Sequence, residues 1–403
     1  MDSINNNHAN PYEDLTVCFV LLVFSAISPI LSIVILGFYA SVRGSSRPVI
    51  ITFCTIGLLY LGYINSSKLV ESDLIVYVEQ LRVINLYGWQ YLFENQVFYV
   101  TARKQEIFYF ITVYLISILI GDDAKIFSFA ITFLIYLTAL VAHLRISRLF
   151  GLNNRLIVTT LLLTMFFSLT FVLTTQLIRQ YLSMVIFLLG VSYLIEKRIV
   201  IAAALFVCAV LSHNMIVFLV VLTCFAIFLS SMHSRISFSL MFTLSILIGL
   251  VTAFSAIALY VFFGSSRLYA FSNPIPIIFI IKDFIFSIAF LIFAHQQFKY
   301  RSQLKEPVAL LLVLYLLWSS FLGFLYFFDL FLFQRFYYIQ DIFTLVFVVV
   351  ISTYISKRNA LYYYVLIVLF ALSYFYFRII HATWTYELSE LQYIFPLYSI
   401  LRL

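Results

Sequence analysis

Long apolar runs follow one another along almost the whole chain, and nothing else in it constrains the fold as strongly. Runs near the roughly 20 residues that a helix needs to cross a bilayer stand at 15–40, 49–64, 126–144, 156–175, 180–195, 199–212, 214–230, 237–263, 276–298, 308–328, 336–355 and 360–377. Only helices and closed barrels satisfy their backbone inside lipid, and unbroken runs of this length suit helices. The expected fold is therefore an all-α polytopic membrane protein with about twelve transmembrane helices. It reads as a single membrane domain over 1–403, with an outer-face loop region at 65–125. The run at 107–120 is shorter. As a helix it would reach about 21 Å against a hydrocarbon thickness of about 30 Å, so a re-entrant or interfacial helix is expected there.

Composition closes off the alternatives. Hydrophobic residues make up 64% of the 403 and charged ones 10%, too few polar groups to cover a soluble globule. A soluble enzyme and a disordered chain are excluded on that ground. The net charge of +7 would suggest nucleic acid in a soluble protein; here no nucleic-acid partner is expected, because Lys and Arg collect in loops and orient a membrane protein. Cys18, Cys54, Cys208 and Cys224 all lie in apolar stretches without metal or disulfide spacing. No cleavable signal peptide is expected, since the run at 15–40 is too long for one.

With 107–120 as a half-helix, the loops holding Arg43, Arg47, Arg145, Arg148, Arg155, Lys197, Arg198, Arg235, Lys299, Arg301, Lys305, Lys357 and Arg358 share one side. Their acids are Glu196 and Glu306 alone. The positive-inside rule makes that side cytoplasmic. Asp73, Glu106, Arg179, His213, Arg267, Asp329 and Arg335 then fall at the outer face, where any chemistry is expected.

Three clusters there carry candidate chemistry. Residues 65–106 are polar, with Lys68, Glu71, Asp73, Tyr77, Glu79, Arg82, Glu94 and Glu106. Asp73 and Tyr77 stand four apart and would share a helix face, while Glu106 opens the apolar run 107–120, where the helix dipole favours a carboxylate. The paired acids Asp122–Asp123 suit either a metal or a simple turn. The second cluster, Gln176-Leu177-Ile178-Arg179-Gln180-Tyr181, joins two apolar runs without turn chemistry. Arg179 therefore falls near the membrane boundary, where a guanidinium is paired or lines a wet cavity. Its fork suits phosphate, and a carboxylate such as Asp73 or Glu106 is the alternative partner. Ser212-His213-Asn214 is the third, with an imidazole able to take a proton from a hydroxyl. No P-loop, GxSxG, HExxH or dinucleotide-binding pattern is present.

Taken in order, these landmarks resemble the EpsG-like, Wzy-type polymerases of bacterial surface polysaccharides. The matching elements are Asn65…Asp73…Tyr77, Glu106 opening a short helix, and Ile178-Arg179-Gln180 before an apolar run reaching Gly190. The basic turn Lys197–Arg198 and Ser212-His213 follow. The resemblance covers about residues 50–230 and departs from the family pattern at Ile107 and at Asn214-Met215. It implies a GT-C-like glycosyltransferase with neither metal nor other cofactor. Such an enzyme would join undecaprenyl-pyrophosphate-linked oligosaccharides at the periplasmic face of the bacterial inner membrane, with room for a chain-length-regulating partner protein. Arg179, with Arg335 or Arg267, would neutralise the departing pyrophosphate, with Gln180 and Tyr77 lining the substrate site. His213, Glu106 and Asp73 are the candidate bases. The competing readings are a metal-dependent GT-C transferase using a polyprenyl-phosphate sugar and a polysaccharide flippase or exporter.

Overall fold

The computed structural model describes residues 11–88, 106–233, 235–263, 275, 277–299 and 305–399. Glu94, Arg267 and Arg301 lie outside these residues. The described chain folds into α-helices joined by short turns: α1 (Pro11–Phe24), α2 (Pro29–Arg43), α3 (Arg47–Ser66), α4 (Asp73–Tyr87), α5 (Ile107–Ile120), α6 (Ala124–Leu149) and α7 (Asn154–Leu163). After these come α8 (Ile178–Ile195), α9 (Ile199–Ser212), α10 (Ile216–Ser231), α11 (Phe238–Phe263), α12 (Ile277–Lys299) and α13 (Glu306–Phe328). The last four are α14 (Leu330–Tyr337), α15 (Asp341–Ser352), α16 (Ala360–Ile380) and α17 (Glu390–Ile394).

By length and composition, seven helical stretches among the described residues can cross a membrane. They are α3, α6, α8, α11 up to Val261, α13, the stretch Leu330–Ser352 and α16. Shorter apolar helices such as α5, α9 and α10 pack among them. The protein is thus an all-α polytopic membrane protein. Its outer surface agrees, because Phe19, Leu119, Val200, Phe228 and Leu369 are all more than half exposed, and lipid is the solvent that tolerates so large an apolar face.

Two apolar runs are broken where the pattern reads as continuous. The run 15–40 divides into α1 and α2 at Ser25–Ser28. Pro29 starts the second helix and Ser28 caps it, its hydroxyl accepting from the Leu31 amide; the residue before a proline avoids helical geometry. The run 156–175 is helical only at first. It passes through a π-turn at Thr164–Ser168 and a 3-10 turn at Phe171–Leu173, and α8 begins only at Ile178. The segment from Thr164 to Gln176 is buried throughout, as irregular backbone at membrane depth must be.

Most of α8 is buried, and it packs between α6 and α9. On the far side of α6 lies α3, while α10 and α11 both pack on α13. The turn Glu196–Arg198 returns the chain from α8 into α9, with Lys197 at φ 62°. The two helices therefore run antiparallel, and the start of α8 sits beside the end of α9. Close approach is allowed by Gly190, since a Cβ there would fall 2.7 Å from the Phe206 ring.

Candidate active site

Glu106 immediately precedes α5 but does not cap it. Its carboxylate turns inward, 3% exposed. Oε2 accepts from Arg179 Nη1, and Oε1 pairs with His213 Nδ1 at 2.7 Å. Arg179 is the second residue of α8, and His213 is the residue that closes α9. One carboxylate therefore ties three helix ends together. The partner that the isolated Arg179 demanded is Glu106.

Two tyrosines wall the guanidinium. Tyr77 from α4 and Tyr109 from α5 meet edge to face at 6.0 Å, and Arg179 Cζ lies 5.7 Å and 5.9 Å from their ring centroids. Such contacts stabilise a desolvated cation. Tyr109 is held by its hydroxyl, which donates to Gln80 Oε1 at 3.1 Å. Arg179 Nε is buried and has no hydrogen-bond partner among the described residues.

Next along α8, Gln180 Nε2 donates to the Arg335 carbonyl at 3.3 Å, joining α8 to α14. The half-buried Arg335 guanidinium lies over Phe331 at 4.8 Å. Arg335 is near enough to feel the charges of both Arg179 and Asp73. Asp73, the first residue of α4, is exposed. The structure thus gathers Glu106, Arg179, His213, Tyr77, Gln180 and Arg335, with Asp73 at the rim, while Arg267 lies outside the described residues.

Electrostatics separates Glu106 from the other candidate acids and bases. Burial alone would raise its pKa, but the Arg179 guanidinium and the His213 contact outweigh this and hold it down to about 2. A carboxylate that stays ionised so far below neutral pH is a poor proton acceptor there. It is well suited to fixing Arg179 and orienting His213.

The irregular segment ahead of α8 is held by a second set of buried polar groups. Asn65 Nδ2 donates to Thr132 Oγ1 and Thr174 Oγ1, each at 2.9 Å. Lys68 Nζ donates to the Val172 carbonyl at 2.7 Å and lies 4.4 Å from the Trp384 ring. Asp341 accepts from the Thr170 amide and the Tyr181 hydroxyl, both at 2.8 Å. Gln176 Oε1 accepts from the Leu74 amide at 3.2 Å, docking the start of α4. Tyr109 and Gln80 are the site's supporting residues that sequence reasoning passes over. Thr164, Ser168, Thr170, Thr174 and Thr175 within one apolar run are the signal that marks the break.

Asp123 caps α6 by accepting from the Ile126 amide at 2.9 Å, which accounts for that acid without a metal. Among the described residues no group of three His, Cys, Asp or Glu side chains is placed to hold a metal ion.

The model of the EpsG family matches residues 50–395, most of the chain. The chain belongs to the EpsG family. Membership assigns this EpsG protein to the Wzy-type polysaccharide polymerases and to a general role in polysaccharide biosynthesis. The match extends well past the motifs at 50–230 and takes in Arg335 and Asp341. Comparison with curated proteins and with solved structures gives no match.

Proposed function

We propose that this EpsG protein joins polyprenyl-pyrophosphate-linked oligosaccharide units, working as a metal-independent glycosyltransferase at the periplasmic face of the bacterial inner membrane. The observation that carries this reading is the contact of Arg179 and His213 with one buried carboxylate, Glu106, at the meeting of three helix ends. A cation and a proton acceptor are thereby fixed side by side on one carboxylate.

In the proposed reaction a hydroxyl of the acceptor sugar attacks C1 of the donor sugar. The new glycosidic bond forms as the bond from C1 to the pyrophosphate oxygen breaks, and the bonding electrons leave on that oxygen. Arg179 meets the developing charge, with Arg335 beside it; fixed donors aimed at such charge act most strongly where water is excluded. The hydroxyl proton goes to His213. With Nδ1 donating to Glu106, its Nε2 carries the lone pair, the same division of labour that a carboxylate imposes on a catalytic imidazole elsewhere. Glu106 serves as a positioning residue, and Tyr77 and Gln180 shape the donor's surroundings.

The test uses purified protein with its undecaprenyl-pyrophosphate oligosaccharide, with products resolved on a gel. Arg179→Ala is expected to lower the polymerisation rate by about a hundredfold or more, the usual cost of losing a group that stabilises developing charge. Arg179→Lys should retain part of it, and the wild-type ladder should survive EDTA. Full polymer length from Arg179→Ala at normal protein levels would remove Arg179 from the mechanism. A product abolished by EDTA would move the case to metal-dependent transfer.

A further inference from the structure

Where α3, α6 and α7 meet lies a cavity of about 520 Å³, within the size range of small-ligand sites. It is lined by Ser45 and Arg47 at the start of α3, Arg148 in the last turn of α6, and Asn154 at the start of α7. The rest of its wall is Gly151 and aliphatic side chains. The 20 residues of α3 span about 30 Å, so this cavity and the Glu106 site are separated by roughly the thickness of a bilayer core.

Every charged group on its wall is positive. Arg47 and Arg148 are both exposed toward solvent, and neither forms an ion pair among the described residues. The amino ends of α3 and α7 meet here, tied by the Ser45 amide donating to the Asn154 carbonyl at 3.2 Å. The positive dipole ends of both helices favour an anion, with Asn153 Oδ1 already accepting from the Arg155 amide at the start of α7. The carbonyl end of α6 opposes them, and Arg148 in its last turn offsets it. Ser46 makes no side-chain cap at the start of α3. Ser45, 7% exposed on the cavity wall, has a hydroxyl with no hydrogen-bond partner among the described residues. A buried hydroxyl without a partner costs free energy unless something fills that role.

We propose that this cavity holds the phosphate of an anionic phospholipid, with Arg47 and Arg148 contacting its oxygens. A lipid is favoured over free phosphate because Ile50, Ile51, Leu144 and Ile157 complete the wall. Ile51 is 54% exposed on the outside of α3, giving an acyl chain an apolar track from the cavity to the bilayer. Basic pockets between membrane helices bind anionic head groups in this way.

The experiment is native mass spectrometry of the full-length protein released from nanodiscs of phosphatidylglycerol or phosphatidylcholine. Wild type should retain phosphatidylglycerol and shed phosphatidylcholine. The double variant Arg47→Gln/Arg148→Gln should lose about thirtyfold in retention, roughly fivefold for each arginine near a lipid surface. Ser45→Ala, which leaves every charge in place, should lose less, and Arg358→Gln, at an exposed cation outside the cavity, should lose much less than the double variant. Equal retention by wild type and the double variant would overturn the proposal. So would equal retention of the two lipids, and so would inorganic phosphate bound in place of a lipid.

Discussion

Glu106 sits between two partners, and the cost of removing it depends on which of them is left alone. Glu106→Gln keeps the shape but leaves the Arg179 guanidinium, 9% exposed, without its counter-charge. Breaking a buried pair from one side costs about 3–5 kcal/mol, so this variant should melt at a lower temperature in detergent as well as polymerise slowly. His213→Gln breaks only the more exposed contact, with His213 14% exposed. It should keep nearly the wild-type melting temperature while losing about a hundredfold or more in rate. Equal losses of stability in the two variants would contradict this division between a positioning carboxylate and a base. Since the Glu106 pKa is depressed to about 2, the stability it contributes is present above its unfolded pKa. It is lost progressively as pH falls from the ordinary glutamate range near 4.3 and is gone below about 2. Lys68 acts with the same sign in a higher pH window. Burial lowers its pKa to about 7 against the partial opposition of Glu71. The unfolded chain therefore binds more protons between about 7 and the ordinary lysine range near 10.4, and stability rises with pH across that window. Lys68→Met should flatten this rise in a series of melting curves taken from pH 7 to 10. An unchanged slope would mean that Lys68 is charged at neutral pH in the folded protein.

The groups that meet at Glu106 sit at helix ends, so their spacing is set by how pairs of helices pack. The α8–α9 pair is the most exposed to perturbation. A Cβ on Gly190 would meet Phe206 Cε1 at 2.7 Å and Leu205 Cβ at 3.3 Å, and the Phe206 ring is itself stacked on Phe187 at 5.1 Å. Gly190→Val should cost about 1–3 kcal/mol through overpacking. By moving Arg179 and His213 apart it should also lower the rate, although residue 190 lies about three turns from the site. Normal activity in this variant would show that the site tolerates displacement of α9. How much of this could be read from the chain differs by element. Residues 107–120 and 199–212 stand out as isolated apolar runs, and they are helices with those same bounds. The division of 15–40 was legible at Ser28-Pro29, although run length alone conceals it. The π-turn at Thr164–Ser168 carries neither Gly nor Pro, and it exists because Asn65, Lys68 and Asp341 hold the chain just beyond it. Those bonds join residues more than a hundred positions apart, beyond the reach of any local pattern. For the same reason Arg179, Glu106 and His213 could each be marked as candidates, and Glu106 named as one of two possible partners for Arg179, while the meeting of Arg179 and His213 on that one carboxylate was not legible.

Across the whole molecule the polar groups divide between two faces, and the orientation proposed for the reaction rests on that division. Beside the Glu106 site, the chain after α16 folds back onto the end of α3. The Leu69 amide donates to the Thr385 carbonyl at 3.0 Å, and the Glu387 amide to the Ser67 carbonyl at 2.8 Å. Lys125 pairs with Glu387 at 2.6 Å. At the opposite ends of these helices stand Arg47, Arg148 and Arg358, the face that the positive-inside rule assigns to the cytoplasm. One helix, α16, separates Arg358 from Glu387, and its 21 residues reach about 31 Å. These two exposed positions therefore report on opposite sides of one membrane. In a background with Cys18, Cys54, Cys208 and Cys224 replaced by Ala, cysteine at Glu387 should react with a membrane-impermeant maleimide on intact cells whose outer membrane has been permeabilised. Cysteine at Arg358 should react only after the inner membrane is opened. The reverse pattern would put the Glu106 site in the cytoplasm and remove the periplasmic assignment while leaving the site's geometry untouched. Labelling of both positions on intact cells would mean that α16 does not cross the membrane. The seven-helix account of the fold would then have to give up that span.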